Sequence, residues 1–170
     1  HDIPYNDQGL IPARKAPRTM CVAAVMEVML TAYDIYLRET GDNTPYKYLP
    51  KESYEGLSAG DIKGHIWVNA KFNSYGTADA LINFGMGERR AFGELKPGDF
   101  LNLNRTNRTG HAVVFLGYIN KKGEILPAYD AAVVGFKYFS SQGRYTQWLG
   151  GFDYRFAVFS QFGCPLSLNT

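Results

Sequence analysis

The two kinds of side chain best suited to nucleophilic and general-base chemistry at neutral pH are both scarce in this sequence. There are two cysteines, Cys21 and Cys164, and three histidines, His1, His65 and His111. A thiol with its ordinary pKa of about 8.5 is mostly protonated, so it becomes a nucleophile only where the thiolate is stabilised. The unpaired N–H groups and the positive dipole end at a helix N-terminus supply that, and the same N–H groups can receive an oxyanion. Cys21 stands at the head of a run from Met20 to about Thr40 that contains no Gly or Pro, so this chemistry is open to it. The competing reading is a small buried hydrophobe, the usual state of an unpaired cysteine. A disulfide between Cys21 and Cys164 is the third alternative. For a base, His111 follows Thr109-Gly110 and opens the apolar run AVVFLGYI, so its ring would stand at the mouth of a buried strand. His65, in the segment KGHIW, competes with it, and His1 is terminal.

These side chains need elements to bring them together. Residues 1–19, with Pro4, Pro12 and Pro17, read as an irregular lead-in. The run from Met20 places Val25, Val28, Met29, Ala32, Ile35 and Tyr36 at helical spacing, with Thr19 where an N-cap belongs and Gly41 as a stop. Residues 41–64 read as a long loop with one short helix, and 66–72 as a strand or helix start. GTADALINF, opened by Thr77, predicts a short helix. From Phe100 the pattern changes to that of strands: FLNLN alternates, HAVVFLGYI is β-branched and aromatic, and NKKG closes it. EILPAYDAAV, VVGFKYFSS and FDYRFAVFSQF are further strand candidates. Helices first and an antiparallel meander after them predict an α+β domain. No internal repeat or linker divides residues 1–170, which suits one domain.

The run LKPGDFLNLN, then a polar loop, then GHAVVFLGY, downstream of a helix-opening cysteine, resembles the NlpC-type and CHAP-type peptidoglycan hydrolases of the papain-like superfamily. The turn pattern is carried by Leu95, Lys96, Pro97, Gly98 and Asp99, and the strand opening by Gly110, His111 and Ala112. The match extends over about residues 18–160, but only these two segments are specific. Pro97, Gly98 and Asp99 read as structural, with Asp99 capping its turn and Gly110 letting the backbone come close to the helix end.

The resemblance implies a papain-like domain with N-terminal helices packed on an antiparallel sheet, Cys21 as nucleophile and His111 as base. It also implies a third residue, on the strand after the histidine strand, that orients the imidazole. KYFSSQG offers Ser140, Ser141 and Gln142, and PAYDAAV offers Asp130; Gln142 is preferred and Asp130 ranks second. RKAPRT, before the cysteine, contains no evident oxyanion partner, so backbone N–H groups near Cys21 would serve. The implied reaction is cleavage of an amide in a peptidoglycan stem peptide, by a periplasmic or secreted enzyme. A housekeeping hydrolase and an antibacterial effector with its own inhibitor or immunity protein both fit. The rivals are an acyltransferase on the same scaffold and a binding domain in which Cys21 is core.

Composition narrows the field. Apolar residues make up 45% and charged residues 20%, which belongs to a globular chain. The net charge of +2, without a Lys/Arg run, argues against nucleic acid as a partner; Arg14, Lys15 and Arg18 read as a solvated loop. No stretch approaches the ~20 apolar residues of a membrane span. There is no CxxC, HExxH or His-x-His, so no metal and no cofactor is expected. Trp67, Tyr75 and Trp148 are candidates for a groove lining or for packing under loops.

Overall fold

The computed structural model describes residues 2–5, 10–11, 21–48, 68–69, 74–75, 77–83, 85–104, 110–142 and 151–159. His1, Thr19, His65, Trp67, Trp148 and Cys164 lie outside the described residues. The chain is α+β, with two helices and an antiparallel sheet among the described residues.

The longest element is helix α1, Cys21–Thr40. Its end follows from Gly41, which at φ 74° donates its N–H to the Leu37 carbonyl at 2.8 Å. That left-handed closure is one a Cβ would penalise. The apolar stripe is used unevenly. Val22, Ala24, Val25, Met26, Met29 and Leu30 are buried, whereas Ile35 and Tyr36 are 43% and 42% exposed. Spacing alone predicts all of the stripe to be core. In the C-terminal half the core contacts fall on Tyr33 and Leu37 instead, which continue the face of Val22, Met26 and Met29, while Ile35, six residues past Met29, comes round to a different side of the helix.

Shorter pieces surround this helix. β1 (Ile3–Pro4) pairs with β2 (Leu10–Ile11), and a 3₁₀ turn follows α1 at Thr44–Tyr48. β3 (Val68–Asn69) pairs with β4 (Ser74–Tyr75), and α2 spans Thr77–Asn83, matching the short helix expected there. A second 3₁₀ turn occupies Phe92–Glu94.

The main sheet has β5 (Phe100–Asn104), β6 (Gly110–Ile119), β8 (Gly135–Gln142) and β9 (Gly151–Val158) in that spatial order. β7 (Ile125–Leu126) pairs with the far end of β6. The turn before β5 behaves as its residues predict. Asp99 accepts the Lys96 N–H at 2.8 Å, while Gly98 N–H and Asp99 C=O bond to Phe115 at 2.9 and 2.8 Å. The turn therefore lays β5 against β6.

EILPAYDAAV, expected as a full strand, pairs only over Ile125–Leu126. Pro127 has no N–H to give a ladder, and the Asp130 carboxylate takes the Ala132 N–H at 2.8 Å, fixing a turn instead.

Alternation divides the sheet into two faces, each with its own core. Phe100, Ala112, Val114 and Phe139 pack with α1, Ala80 of α2, Ile3 and Tyr46. Val113, Phe115, Tyr118, Phe136, Tyr138 and Ala157 form the core of the other face, covered by Phe92, Leu95 and Leu126 among others.

Candidate active site

Cys21 is the first residue of α1 and a free thiol, so it is not joined to Cys164. It is half-buried and packs against the α1-side core. Val22 and Val25 hold this end of the helix down, and the same core contains Ala112 and Val114 of β6. The helix start and the strand opened by His111 are thus parts of one packed unit.

His111 is the second residue of β6, opposite Leu103 of β5. Its ring belongs to the other face. His111 Nε2 lies 3.0 Å from Ser140 Oγ, and the ring stands edge-on to Tyr138 with centroids 6.3 Å apart. Ser140 is fully buried, so the imidazole is held against a hydroxyl that is itself fixed by packing. Alternation along β6 sets Ala112 and Val114 toward α1 and His111, Val113 and Phe115 away from it. For sulfur and imidazole to meet, they must do so around the Gly110 end of the strand, where β6 begins.

The residues expected to orient the ring separate clearly. Asp130 is at the opposite end of the sheet. Its neighbour Tyr129 packs on Tyr118, centroids 5.3 Å apart, and Val133 donates its N–H to the Asp130 carbonyl. Tyr118 lies seven residues along β6 from His111, or about 24 Å at strand rise. Asp130 is a turn residue, and the ring is far from it. Gln142, the preferred residue, ends β8 two positions beyond Ser140, with its backbone paired to Gly151. Ser140, which KYFSSQG also offers, is the residue that meets the imidazole. The signal in sequence is a polar cluster following an apolar strand, and Ser140, Ser141 and Gln142 share it.

One strand further out, Asp153 of β9 is the cross-strand partner of Ser140 and Arg155 that of Tyr138. The Asp153 carboxylate takes the Arg155 Nε–H at 3.0 Å and the Tyr154 N–H at 2.8 Å. A polar row therefore crosses three strands: imidazole, hydroxyl, carboxylate, with a guanidinium engaging the last. Sequence reading singled out neither Asp153 nor Arg155, since only the β8–β9 register brings them to this end of the sheet.

Gly110 does not have the role expected of it among the described residues. A Cβ there would come no nearer than 3.9 Å to Asn104 Oδ1. A groove of about 540 Å³ runs along β5, lined by Met29, Tyr33, Asp79, Arg89, Asn102 and Asn104 among others. Its walls are tied together: Arg89 pairs with Asp79 at 3.0 Å, and Asn102 donates to the same carboxylate at 3.4 Å. Neither Cys21 nor His111 lines the groove, but Asn104 is the cross-strand partner of Gly110, the residue before His111. No three His, Cys, Asp or Glu side chains gather as a metal-ligand set among the described residues, and no described helix is long and apolar enough to cross a membrane.

Comparison of the chain with family models, with curated proteins and with solved structures returns no match.

Proposed function

We propose that this chain is a cysteine hydrolase of papain-like type that cleaves an amide bond, with Cys21 as nucleophile and His111 as base. What supports the reading is a free, half-buried thiol at the first residue of α1 together with a ring-fixed histidine near the start of β6, whose ring lies on the face away from α1, so that sulfur and imidazole would have to meet around the Gly110 end of the strand. The proton of the thiol passes to His111, and the thiolate attacks the carbonyl carbon. His111 then gives that proton to the departing amine, leaving an acyl-thioester that water hydrolyses to free acid and thiol. Backbone N–H groups at the helix start stabilise the tetrahedral oxyanion. The groove beside β5 includes Asn104, the cross-strand partner of Gly110, and would offer a peptide a path toward that end of β6.

For substrate, we propose a stem peptide of bacterial peptidoglycan, met in the periplasm or after secretion. An effector role would add a dedicated inhibitor protein as partner. The test exposes purified peptidoglycan to wild type and to Cys21→Ala and identifies released fragments by mass spectrometry. Wild type releases peptide fragments and Cys21→Ala releases none; equal release by both ends the proposal.

The face alternation of β6 favours a second reading. In it Cys21 is a core hydrophobe on one side, His111 and Ser140 fasten the sheet on the other, and the domain binds without catalysing. Alkylation separates the two: a catalytic thiol reacts with iodoacetamide at neutral pH in the folded protein, and a core thiol does not.

A further inference from the structure

We infer that β9 is the interface of a symmetric dimer: it pairs antiparallel with β9 of a second copy of this chain, about a two-fold axis at Tyr154. Association of this kind is independent of the chemistry at Cys21.

The strand is an edge. β9 stands last in the spatial order β5-β6-β8-β9 and pairs with β8 among the described residues. Gly151–Val158 holds neither Pro nor Lys, residues that commonly keep a further strand away, and its two charged residues are of opposite sign. Phe152, Tyr154 and Phe156 alternate along it and are 50%, 61% and 42% exposed. They share a face with Phe139, which packs on the α1-side core and tilts against Phe152 and Tyr154 with centroids 5.4 and 5.8 Å apart. The Lys137 ammonium lies over Tyr154 and Phe156, 5.3 and 5.8 Å from the ring centroids. The rings are thus braced from the β8 side, and a row of three large aromatic side chains stays open to a partner.

The order of residues in the strand says what that partner is. Phe152-Asp153-Tyr154-Arg155-Phe156 reads alike in both directions about Tyr154, except that acid and base exchange places. In antiparallel self-pairing centred on Tyr154, residues equidistant from it meet across the axis. Phe152 faces Phe156 of the second copy, the two Tyr154 residues face each other, and Asp153 faces Arg155, twice by symmetry. Aromatic and opposite-charge pairs are cross-strand pairs that stabilise a sheet. Within one chain the Asp153 carboxylate takes the Arg155 Nε–H at 3.0 Å and the Tyr154 N–H at 2.8 Å, which holds it beside the axis. A guanidinium has five N–H donors and a carboxylate two accepting oxygens, so each can serve its own strand and the one opposite. Pairing closes a ring of four alternating charges on one face, with the aromatic rows of both copies on the other. A parallel pair would oppose Asp153 to Asp153 and Arg155 to Arg155. An antiparallel pair centred on either charged residue would also oppose like charges. Charge therefore selects the register centred on Tyr154.

The experiment is sedimentation velocity of the full chain over a concentration series up to ~1 mM, the weak end of specific association. Wild type is compared with Asp153→Arg, with Arg155→Asp and with the double variant carrying both substitutions, after circular dichroism has compared their folds. Wild type sediments as a monomer–dimer equilibrium. Each single variant opposes like charges at both symmetric positions and weakens the dimer at least about tenfold. An equimolar mixture of the two single variants restores dimerisation, since the charges of each meet their opposites in the other. The double variant dimerises as wild type does, but it forms no mixed dimer with fluorescently labelled wild type, because that pairing opposes like charges. This arm carries the test where a single variant fails to fold. A wild type that stays monomeric throughout, single variants that dimerise as tightly as wild type, a mixture no tighter than its components, or a mixed dimer of double variant and wild type overturns the inference.

Discussion

Gly135 opens β8, between Ile119 of β6 and Val158 of β9, and has no room for a side chain. A Cβ built there would lie 1.9 Å from the Ala157 carbonyl oxygen and 2.8 Å from Val158 Cα. Both are backbone atoms, so no rotamer change can relieve the contact. To restore van der Waals distance β9 must move away by about 1.5 Å, more than a ladder hydrogen bond tolerates. Bonds at this end include Phe159 N–H to Val134 C=O at 2.7 Å and Val134 N–H to Ile119 C=O at 2.9 Å. Losing two or three at about 1 kcal/mol each, with ~1–3 kcal/mol for the overpacked strand, gives roughly 3–6 kcal/mol. For a chain of this size that lowers Tm by roughly 6–24 °C. The consequence reaches the site, because a one-residue slip of β8 would carry Ser140 to the face away from His111. The assay is thermal unfolding by circular dichroism of Gly135→Ala against wild type, with Gly110→Ala as the control whose Cβ would meet Asn104 Oδ1 and the Leu103 carbonyl only at ordinary van der Waals distance, 3.9 and 4.0 Å. The control stays within ~2 °C of wild type. A Gly135→Ala variant that also melts within ~2 °C would show that β8 and β9 do not pair in this register.

Other outcomes follow from single contacts. Tyr118 is buried and donates its hydroxyl to the Phe92 and Leu95 carbonyls, so Tyr118→Phe leaves those acceptors short of a donor. It should lower unfolding free energy in urea by about 1–3 kcal/mol with unchanged m. Burial raises the Tyr118 phenol above its ordinary 10.0, so tyrosinate absorbance from this ring should appear later in an alkaline titration than from exposed tyrosines. The Asp42 carboxyl is held below its ordinary 3.8, chiefly by the Thr44 hydroxyl and then by the Thr44 N–H. A depressed carboxylate contributes above its unfolded pKa and loses that contribution as pH falls through the folded value. Thr44 amide exchange should therefore accelerate, relative to the intrinsic rate, only as pH drops below the ordinary carboxyl range. In Asp42→Asn that step should be absent.

Much of the architecture was legible in the pattern of residues. The Gly- and Pro-free run ending at Gly41, the Pro-Gly-Asp turn and the β-branched run after His111 each specify a local conformation, because capping, turn geometry and strand alternation act within a few residues. Where distant partners decide, the pattern falls short. Ile35 and Tyr36 are apolar candidates on the same run as the buried Met29, but the packed core selects the face that carries Tyr33 and Leu37 and leaves these two exposed. Likewise Asp130, a charged candidate on a strand-like segment, is a turn residue because Pro127 and its own Asx bond end the pairing there.

By itself, the sequence determined the α+β class, the helix beginning beside Cys21 and the strand beginning beside His111, since local sterics and hydrogen bonding fix these. Tertiary structure decided which polar residue meets the imidazole. Ser140, Ser141 and Gln142 are equivalent in sequence, but the pleat gives neighbouring residues opposite faces and the β6–β8 register sets the depth. Cross-strand register also placed Asp153 and Arg155 behind Ser140, because such contacts join residues through pairings that no local pattern encodes.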